Sequence, residues 1–297
     1  MSQEQEPVPC ARVAAMIAKI LDEAEIPNIL WGWAAVGLSG ATRTFPEVDF
    51  IIADHYIAQA IMELGKTFPT CKDGKCLEWK GDRVGASQNM ARITAHNQWH
   101  HPAVTHYHLG AVILSLQKKT ELLFLVARLR PRPPPHPNDP HLTLSNSTSL
   151  PRHHSLGPSG PWHGLYPIQI LNPNSFLEAL IFLQALTTTD PAFLGRYPGK
   201  EWELMMVAIA EVELRPQLPQ EYRRVLRPEF RLVWDYLKFK KPKGHNPLIP
   251  LVKVRKDFML RKILPPWLPD WDFSHLKGWD EVKSFMRDDT LLVPSCA

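Results

Sequence analysis

Two neighbouring stretches of sequence decide the fold: Ile29-Leu30-Trp31-Gly32-Trp33 and Arg43-Thr44-Phe45-Pro46-Glu47-Val48-Asp49-Phe50-Ile51-Ile52. The first is a short apolar run that ends at a glycine, which predicts a strand over Ile29–Trp31 and a tight turn at Gly32. The second continues into an apolar, partly β-branched end, which predicts another strand over Val48–Ile52. Two strands so close in the sequence predict part of a small sheet.

Further helices and strands are predicted on either side of these two strands. Apolar residues at helical spacing, or in short alternating runs, mark them along the chain. The predicted helices are Ala11–Glu25, Trp33–Leu38, His55–Leu64, Phe176–Thr187, Glu201–Leu214 and Gln220–Phe239, and the further predicted strands are Ala111–Gln117 and Glu121–Arg128. This order predicts an α+β fold, in which a small mixed sheet with flanking helices precedes a mostly helical C-terminal region.

Composition divides the chain into three parts. Its 297 residues include 29 prolines, and ten of these lie between residues 131 and 167. Such a density of proline predicts a long loop or linker. We therefore expect an α/β domain over residues 1–130, a Pro-rich linker over residues 131–167 and a mainly helical, basic region over residues 168–297. Hydrophobic residues make up 44% of the chain, which excludes disorder throughout.

The sequence also favours the cytosol. It has no run of about 18 consecutive apolar residues, and its first residues are acidic and polar, unlike a secretory signal. A cytosolic protein keeps its cysteines reduced. The four expected free thiols are Cys10, Cys71, Cys76 and Cys296. We expect a cytoplasmic protein without membrane association.

Glu47 and Asp49 are the candidate catalytic pair. Residues i and i+2 of a strand point to the same face, so the two carboxylates should lie side by side. Such a pair can share a divalent cation or hold a cationic substrate group. The nearby turn at Gly32 lets backbone N–H groups approach a phosphate. The alternative interpretation is a solvated pair of acids at a strand end.

Positive charge is concentrated between Tyr222 and Lys262, a segment called here the basic window. The whole chain has a net charge of +4, whereas this window holds thirteen Lys or Arg residues and three acids, a net charge of +10. Such a cluster favours a polyanionic partner, and we expect its basic residues to bind tRNA. They are Arg223, Arg224, Arg227, Arg231, Lys238, Lys240, Lys241, Lys243, Lys253, Arg255, Lys256, Arg261 and Lys262. Phe230, Trp234 and Leu237 have helical spacing and are expected in the core.

A cluster of histidines follows the predicted third helix. His106 and His108 face one way on a strand, which makes them candidate catalytic residues, one of them acting as a general base near the acid pair. His96 and His100 have the i, i+4 spacing of helical metal ligands. No acid or cysteine lies nearby in the sequence to complete a zinc site, so we predict no metal site.

The residues around the acid pair resemble the nucleotidyltransferase superfamily, particularly the minimal forms related to kanamycin nucleotidyltransferase and AbiEii-type toxins. Those proteins carry a strand ending in Gly-Gly or Gly-Ser, a helix, and Arg-x-Thr-x-Asp-x-Asp on the next strand. Trp31-Gly32-Trp33 and Arg43–Asp49 correspond to this pattern, although a tryptophan stands where a second small residue is usual. The resemblance implies a nucleotidyltransferase-like fold. The substrate-binding residues that it implies are Trp31, Gly32, Trp33 and Arg43.

A more specific resemblance is to a set of fungal proteins on the same scaffold, which includes the arginine-containing cyclodipeptide synthases. It rests on Trp31-Gly32, Val48–Asp54, His106-Tyr107-His108 and Tyr166–Pro173. The resemblance implies an enzyme of secondary metabolism that condenses arginyl-tRNA and a second aminoacyl-tRNA into a cyclic dipeptide. Such a transfer between activated esters requires no cofactor. The acid pair would then hold the guanidinium of the arginyl group.

Two other functions stay open. The acid pair could hold Mg²⁺ in a nucleotidyltransferase that uses ATP or another nucleoside triphosphate. A catalytically degenerate form of the same scaffold could instead grip nucleic acid through the basic window alone. The product formed from aminoacyl-tRNA, or from labelled ATP with Mg²⁺, distinguishes these functions from the synthase.

Overall fold

The computed structural model of the protein contains a six-stranded sheet with helices on both faces. It describes residues 9–41, 47–69, 71, 104–110, 112–123, 129, 139–151, 160–188, 199–213, 222–238 and 248–260. The strands are β1 (Asn28–Trp31), β2 (Glu47–Ile52), β3 (Thr105–Leu109), β4 (Val112–Lys118), β5 (Leu142–Leu144) and β6 (Gln169–Leu171). Their order across the sheet is β3-β4-β2-β1-β6-β5. Parallel and antiparallel pairs alternate in this order, so the sheet is mixed and the predicted α+β class is confirmed.

The helices surround this sheet and account for most of the C-terminal part that the structure describes. They are α1 (Pro9–Glu23), α2 (Gly32–Leu38), α3 (Ile57–Gly65), α4 (Lys119–Leu122), α5 (Pro173–Thr188), α6 (Gly199–Glu213), α7 (Tyr222–Val225), α8 (Pro228–Lys238) and α9 (Leu248–Leu260). A short 3-10 turn over Asp54–Tyr56 precedes α3. None of the helices in the described ranges combines the length and apolar character needed to cross a membrane.

Two apolar cores lie on opposite faces of the sheet. On one face, α1 and α3 pack against alternate residues of the central strands, such as Val48 and Phe50 of β2. On the other face, α5, α6, α8 and α9 pack against Ile29 and Trp31 of β1 and Ile51 of β2. The alternation of burial along β1 and β2 therefore fixes which face each side chain serves. The helical C-terminal region shares one core with the sheet.

The predicted strand over Glu121–Arg128 is wrong at its start, because Lys119–Leu122 forms the short helix α4. Asp54 accepts hydrogen bonds from the backbone N–H of Thr120 at 3.1 Å and from its hydroxyl at 2.5 Å. A helix leaves its first N–H groups without intrahelical partners, so this carboxylate stabilises the first turn. Residues 124–128 lie outside the described ranges.

The single helix predicted over Gln220–Phe239 is instead two helices, α7 and α8, divided before Pro228. Proline has no N–H and disfavours helical backbone in the preceding residue. That residue, Arg227, donates its backbone N–H to the Glu178 carboxylate of α5 at 2.8 Å, and its Nε donates to the same carboxylate at 2.7 Å. The side chain of Glu178 thus holds the junction of the two helices against α5.

The Pro-rich segment contributes β5, the edge strand that pairs with β6. Buried Ser145 follows β5, accepts the N–H of Ile168 on its hydroxyl at 3.0 Å and donates its own N–H to the Ile168 carbonyl at 2.8 Å. After β6, Asn172 accepts the N–H of Ser175 at 2.8 Å and caps α5, and Pro173 occupies the first helical position. The cap predicted before this helix is confirmed, and the helix begins at Pro173, three residues before the predicted start at Phe176.

Candidate active site

Asp49 lies directly against Gly32 at the turn between β1 and α2. The backbone φ of Gly32 is +67°, in the left-handed region that favours glycine. A Cβ atom at this position would overlap Oδ2 of Asp49. The register of the β1–β2 pair places Trp31 opposite Asp49, immediately before this glycine. The prediction that the acid pair lies near Gly32 is therefore confirmed for Asp49.

Burial controls the protonation of the acid pair. Removal from water, and secondly the negative charge of Glu47, raise the pKa of Asp49 to about 8, whereas a hydrogen bond from the Gln117 side chain lowers it. Glu47 is itself only 9% exposed. At neutral pH the Asp49 carboxyl therefore holds its proton for most of the time. The alternative interpretation, a solvated pair at a strand end, is wrong for Glu47, whereas Asp49 is half-buried.

The acid pair belongs to a polar strip that crosses three strands. Asp49 of β2 pairs with Ser115 of β4, which pairs with His106 of β3, so all three side chains leave the same face of the sheet. Gln117 lies two residues beyond Ser115 on that face. Its Oε1 is buried and has no hydrogen-bond partner within the described ranges. The sequence signal for this strip is the pair of polar residues at i, i+2 in the apolar run of β4.

The same face is apolar on the other side of Asp49. Trp31 is 2% exposed, and its ring lies edge-on to Phe176 at 4.9 Å and to Trp202 at 6.2 Å between centroids. Trp33 is also buried in this core. Both tryptophans belong to the core that the sheet shares with the C-terminal helices, and their predicted role in substrate binding stays a prediction. Arg43, the fourth predicted substrate-binding residue, lies outside the described ranges.

His106 and His108 are on the same face as the acid pair but at the edge of the sheet. β4 separates β3 from β2, so the backbones of His106 and Asp49 are two strand spacings apart, about 10 Å. A general base must come within about 3 Å of the atom that carries the proton, or reach it through one water, so the role of general base stays a prediction for both histidines. The structure brings the two histidines to Cys71: Sγ and one nitrogen of each ring lie within 4.8 Å of one another. His96, His100 and Cys76 lie outside the described ranges.

The basic window is only partly available as a charged surface. Arg223 and Arg224 are exposed, and Arg223 pairs with Asp235 at 2.6 Å. Arg231 donates to the carbonyls of Leu226 and Arg224 at the end of α7. Lys253 and Lys256 are half-buried on α9. The window therefore mixes exposed charge with contacts that hold its own helices.

Arg255 is the clearest correction among the predicted tRNA-binding residues. It is 2% exposed, and its Nη1 donates to the carbonyl of Leu186 in the last turn of α5 at 3.3 Å. A cation at a helix C-terminus stabilises the helix, and a buried guanidinium presents no charge to a phosphate. Six of the predicted residues have no described side chain, namely Lys238, Lys240, Lys241, Lys243, Arg261 and Lys262.

The aromatic residues of the basic window form core contacts. Phe230 and Trp234 are fully buried, and Leu237 packs against the same core, which confirms the prediction from their helical spacing. Tyr222 is buried as well, and its hydroxyl donates to the carbonyl of Ser39 at the end of α2 at 3.2 Å. The start of the basic window is thereby fixed to the helix that begins at Gly32.

The acid pair, Gln117 and the turn at Gly32 together form the candidate site. Its atoms are mainly hydrogen-bond acceptors, and its two carboxyl groups repel each other when both are ionised. A cation that donates several hydrogen bonds, or a divalent metal ion, would bind these acceptor atoms and offset the repulsion between the two carboxyl groups. Comparison with protein-family models, with curated proteins and with solved structures finds no match to this chain.

Proposed function

We propose that this protein is an aminoacyl-tRNA-dependent cyclodipeptide synthase that makes an arginine-containing cyclic dipeptide in the cytosol. The observation that carries the proposal is the Glu47–Asp49 pair beside Gly32, in which Glu47 is buried, Asp49 is half-buried and the pKa of Asp49 is about 8. The proposal assigns to this pair the recognition of the arginyl group.

Recognition follows from the match between acceptors and donors. A guanidinium has five N–H donors and no acceptor, and it binds carboxylates through two parallel hydrogen bonds. The site offers two carboxyl groups and the unpartnered Oε1 of Gln117. A guanidinium between Glu47 and Asp49 removes their repulsion and favours the ionised form of Asp49. The positive charge of the ligand thus offsets the cost of burying both acids.

The chemistry consists of two aminolysis steps. In the first, the α-amine of one aminoacyl-tRNA attacks the ester carbonyl of the other, which forms an amide bond and releases one tRNA with a free hydroxyl. In the second, the remaining α-amine attacks the remaining ester, which closes the six-membered ring and releases the second tRNA. Each step takes one proton from an amine and returns one to a hydroxyl.

The position of the basic window supports a tRNA substrate. Helix α2 runs from Gly32 to Leu38, a length of about 10 Å, and Tyr222 is hydrogen bonded just beyond its end. Exposed Arg223 and Arg224 follow Tyr222 directly. A tRNA whose backbone contacts these arginines would have its aminoacylated end within reach of the acid pair.

A metal- and nucleotide-dependent nucleotidyltransferase is the second candidate, because a divalent cation would also relieve the repulsion between Glu47 and Asp49. It differs from the synthase in its substrate and in its products. It would use a nucleoside triphosphate, release pyrophosphate and stop when Mg²⁺ is removed. The close contact between Asp49 and the Gly32 turn is the observation that favours it.

The test is a direct comparison of products. The purified protein is incubated with arginyl-tRNA and a mixture of other aminoacyl-tRNAs, and separately with labelled ATP, Mg²⁺ and tRNA, with and without EDTA. The synthase is expected to release a diketopiperazine, detected by mass spectrometry, without pyrophosphate. A labelled acceptor with pyrophosphate would establish the nucleotidyltransferase. Salt-dependent tRNA binding without either product would instead indicate a catalytically degenerate module that binds nucleic acid.

A further inference from the structure

We propose that Cys71, His106 and His108 bind a divalent zinc ion, at a site separate from the acid pair. One ligand atom from each residue, the Cys71 sulfur and a ring nitrogen of each histidine, lies within 4.8 Å of the others. The ligand atoms of a tetrahedral zinc site are about 3.3–3.7 Å apart, which follows from metal–ligand bonds of about 2.0–2.3 Å. A movement of the side-chain tips by about 1 Å, through rotation of the side chains, would bring the ligand atoms to the distances of a zinc site.

The backbone holds these three residues in place. His106 and His108 are at i, i+2 on β3, and their rings are 5.2 Å apart between centroids. Every residue of β3 pairs with a residue of β4, and this pairing fixes the positions of the backbone atoms that carry the two rings. The N–H of Cys71 donates to the carbonyl of His106 at 3.2 Å. This hydrogen bond places the cysteine beside the strand although it follows α3 in the chain.

The donor set selects the metal. A thiolate and two imidazoles suit zinc, whereas Mg²⁺ and Ca²⁺ prefer oxygen ligands. His106 is buried and Cys71 is half-buried, while His108 retains solvent exposure. Three protein ligands leave the fourth zinc position for water or a substrate group. Such a site would also fasten the chain at Cys71 to β3, an edge strand of the sheet.

The site is distinct from the candidate active site. Glu47 pairs with Ile113, which pairs with His108, so Glu47 is two strand spacings, about 10 Å, from the nearest zinc ligand. Among the described residues, the ligand atoms that lie within 4.8 Å of one another come from Cys71, His106 and His108, and neither Glu47 nor Asp49 belongs to that group. The zinc proposal therefore stands without the proposed synthase activity, and the two are tested by different measurements.

The first test measures bound metal. The full chain, purified without a histidine tag, is loaded with Zn²⁺, freed of excess by gel filtration and analysed for metal by mass spectrometry. We expect about one zinc per chain, and at least a fivefold loss in both Cys71→Ser and His108→Ala. Cys10→Ser is the matched control, because Cys10 is a free thiol in the opposite core, and it should keep its zinc. A wild-type chain without zinc, or folded Cys71→Ser and His108→Ala variants with undiminished zinc, would overturn the proposal.

A second measurement needs no variant. Wild-type protein is treated with iodoacetamide with and without Zn²⁺, and alkylation of each cysteine is followed by mass spectrometry. A metal-bound thiolate reacts slowly, so Zn²⁺ should protect Cys71 at least fivefold, whereas Mg²⁺ should not. Equal alkylation of Cys71 with and without Zn²⁺ would contradict the site even if the variants failed to fold. Co²⁺ in place of zinc should add the near-ultraviolet absorption of a thiolate–cobalt bond.

Discussion

At the scale of single residues, the protonation of Asp49 depends on the residues around its carboxyl group rather than on its position in a motif. Gly32 provides the space for its carboxyl group, Gln117 provides a donor, and Glu47 provides a repulsive charge. An acid held in this way is costly in the free protein. Residues that reduce stability while serving a ligand are typical of functional sites.

The first prediction concerns the pH dependence of stability. The pKa of Asp49 is raised from 3.8 to about 8 in the folded protein, so the folded state binds this proton more tightly than the unfolded state does. This contribution to the free energy of unfolding is fully present below about pH 4 and is lost as the pH rises through about 8. Asp49→Asn cannot ionise and should be more stable than wild type at pH 8.5, on the order of 1–3 kcal/mol.

Urea unfolding of both proteins between pH 5 and pH 9 measures this difference. The gap between the two free energies of unfolding should widen with increasing pH. Parallel curves would show that Asp49 has an ordinary pKa and would contradict the strong repulsion and desolvation assigned to the acid pair.

The second prediction concerns Gly32. Gly32→Ala should lower the free energy of unfolding by about 2–4 kcal/mol, because alanine is strained at a φ of +67° and its Cβ would overlap Asp49 Oδ2. Gly37→Ala is the control in the same helix, since nothing lies within 4 Å of its added Cβ, and it should be neutral or stabilising. Thermal unfolding of the two variants measures the contrast. Equal effects would contradict the close contact between Gly32 and Asp49.

At the scale of elements, the C-terminus of α1 carries strain that has no link to the candidate site. Glu25 has a φ of +57°, with its N–H donating to the Asp22 carbonyl and the next N–H, from Ile26, donating to the Leu21 carbonyl. This pattern is the Schellman motif, whose left-handed residue is usually glycine. A non-glycine residue costs about 1–2 kcal/mol in this conformation.

We therefore expect Glu25→Gly to raise the free energy of unfolding by about 0.5–1 kcal/mol, after the larger flexibility of glycine in the unfolded chain is included. Glu25→Ala keeps the strain and should change stability by less than about 0.5 kcal/mol. Urea unfolding of the two variants measures the difference. A destabilised Glu25→Gly variant would contradict the assigned helix end.

Elements could be predicted from the sequence where the signals were local. The strands around Gly32, the helix after Asn172 and the apolar spacing of Phe230 and Trp234 were all recognisable within a few residues. Pro228 also gave a local signal that divides its helix, although the spacing of apolar residues favoured one continuous helix. The pairing of β5 with β6 depends on a return of the chain over 24 residues, which periodicity cannot predict.

The candidate site could be predicted only in part, for the same reason. The side-by-side placement of Glu47 and Asp49 followed from strand geometry alone. The burial of Arg255 depends on the end of α5, which lies 69 residues earlier in the chain. The hydrogen bond between Cys71 and His106 depends on the pairing of β3 with β4, and no pattern within a few residues predicts it.

At the scale of the whole molecule, the exposed part of the basic window should bind tRNA electrostatically. Arg224→Gln is expected to weaken tRNA binding and to reduce the slope of log affinity against log salt by about one, if Arg224 contacts one phosphate. Lys19→Gln on α1 is the control on the opposite layer, where Lys19 is exposed and pairs with Glu23. Binding titrations at several salt concentrations measure the slopes. Wild-type binding that is independent of salt would contradict a tRNA surface here.

The central claim is that the acid pair takes part in making a cyclic dipeptide, and one assay tests it most directly. Wild type and Asp49→Asn, both verified as folded, are incubated with arginyl-tRNA and a second aminoacyl-tRNA, and the diketopiperazine is quantified over time. We predict product from wild type and about ten- to a hundredfold less from Asp49→Asn, because a charge-assisted pair with the guanidinium is worth about 1.5–3 kcal/mol. Undiminished product from folded Asp49→Asn, or nucleotide transfer in place of a cyclic dipeptide in wild type, would contradict the account.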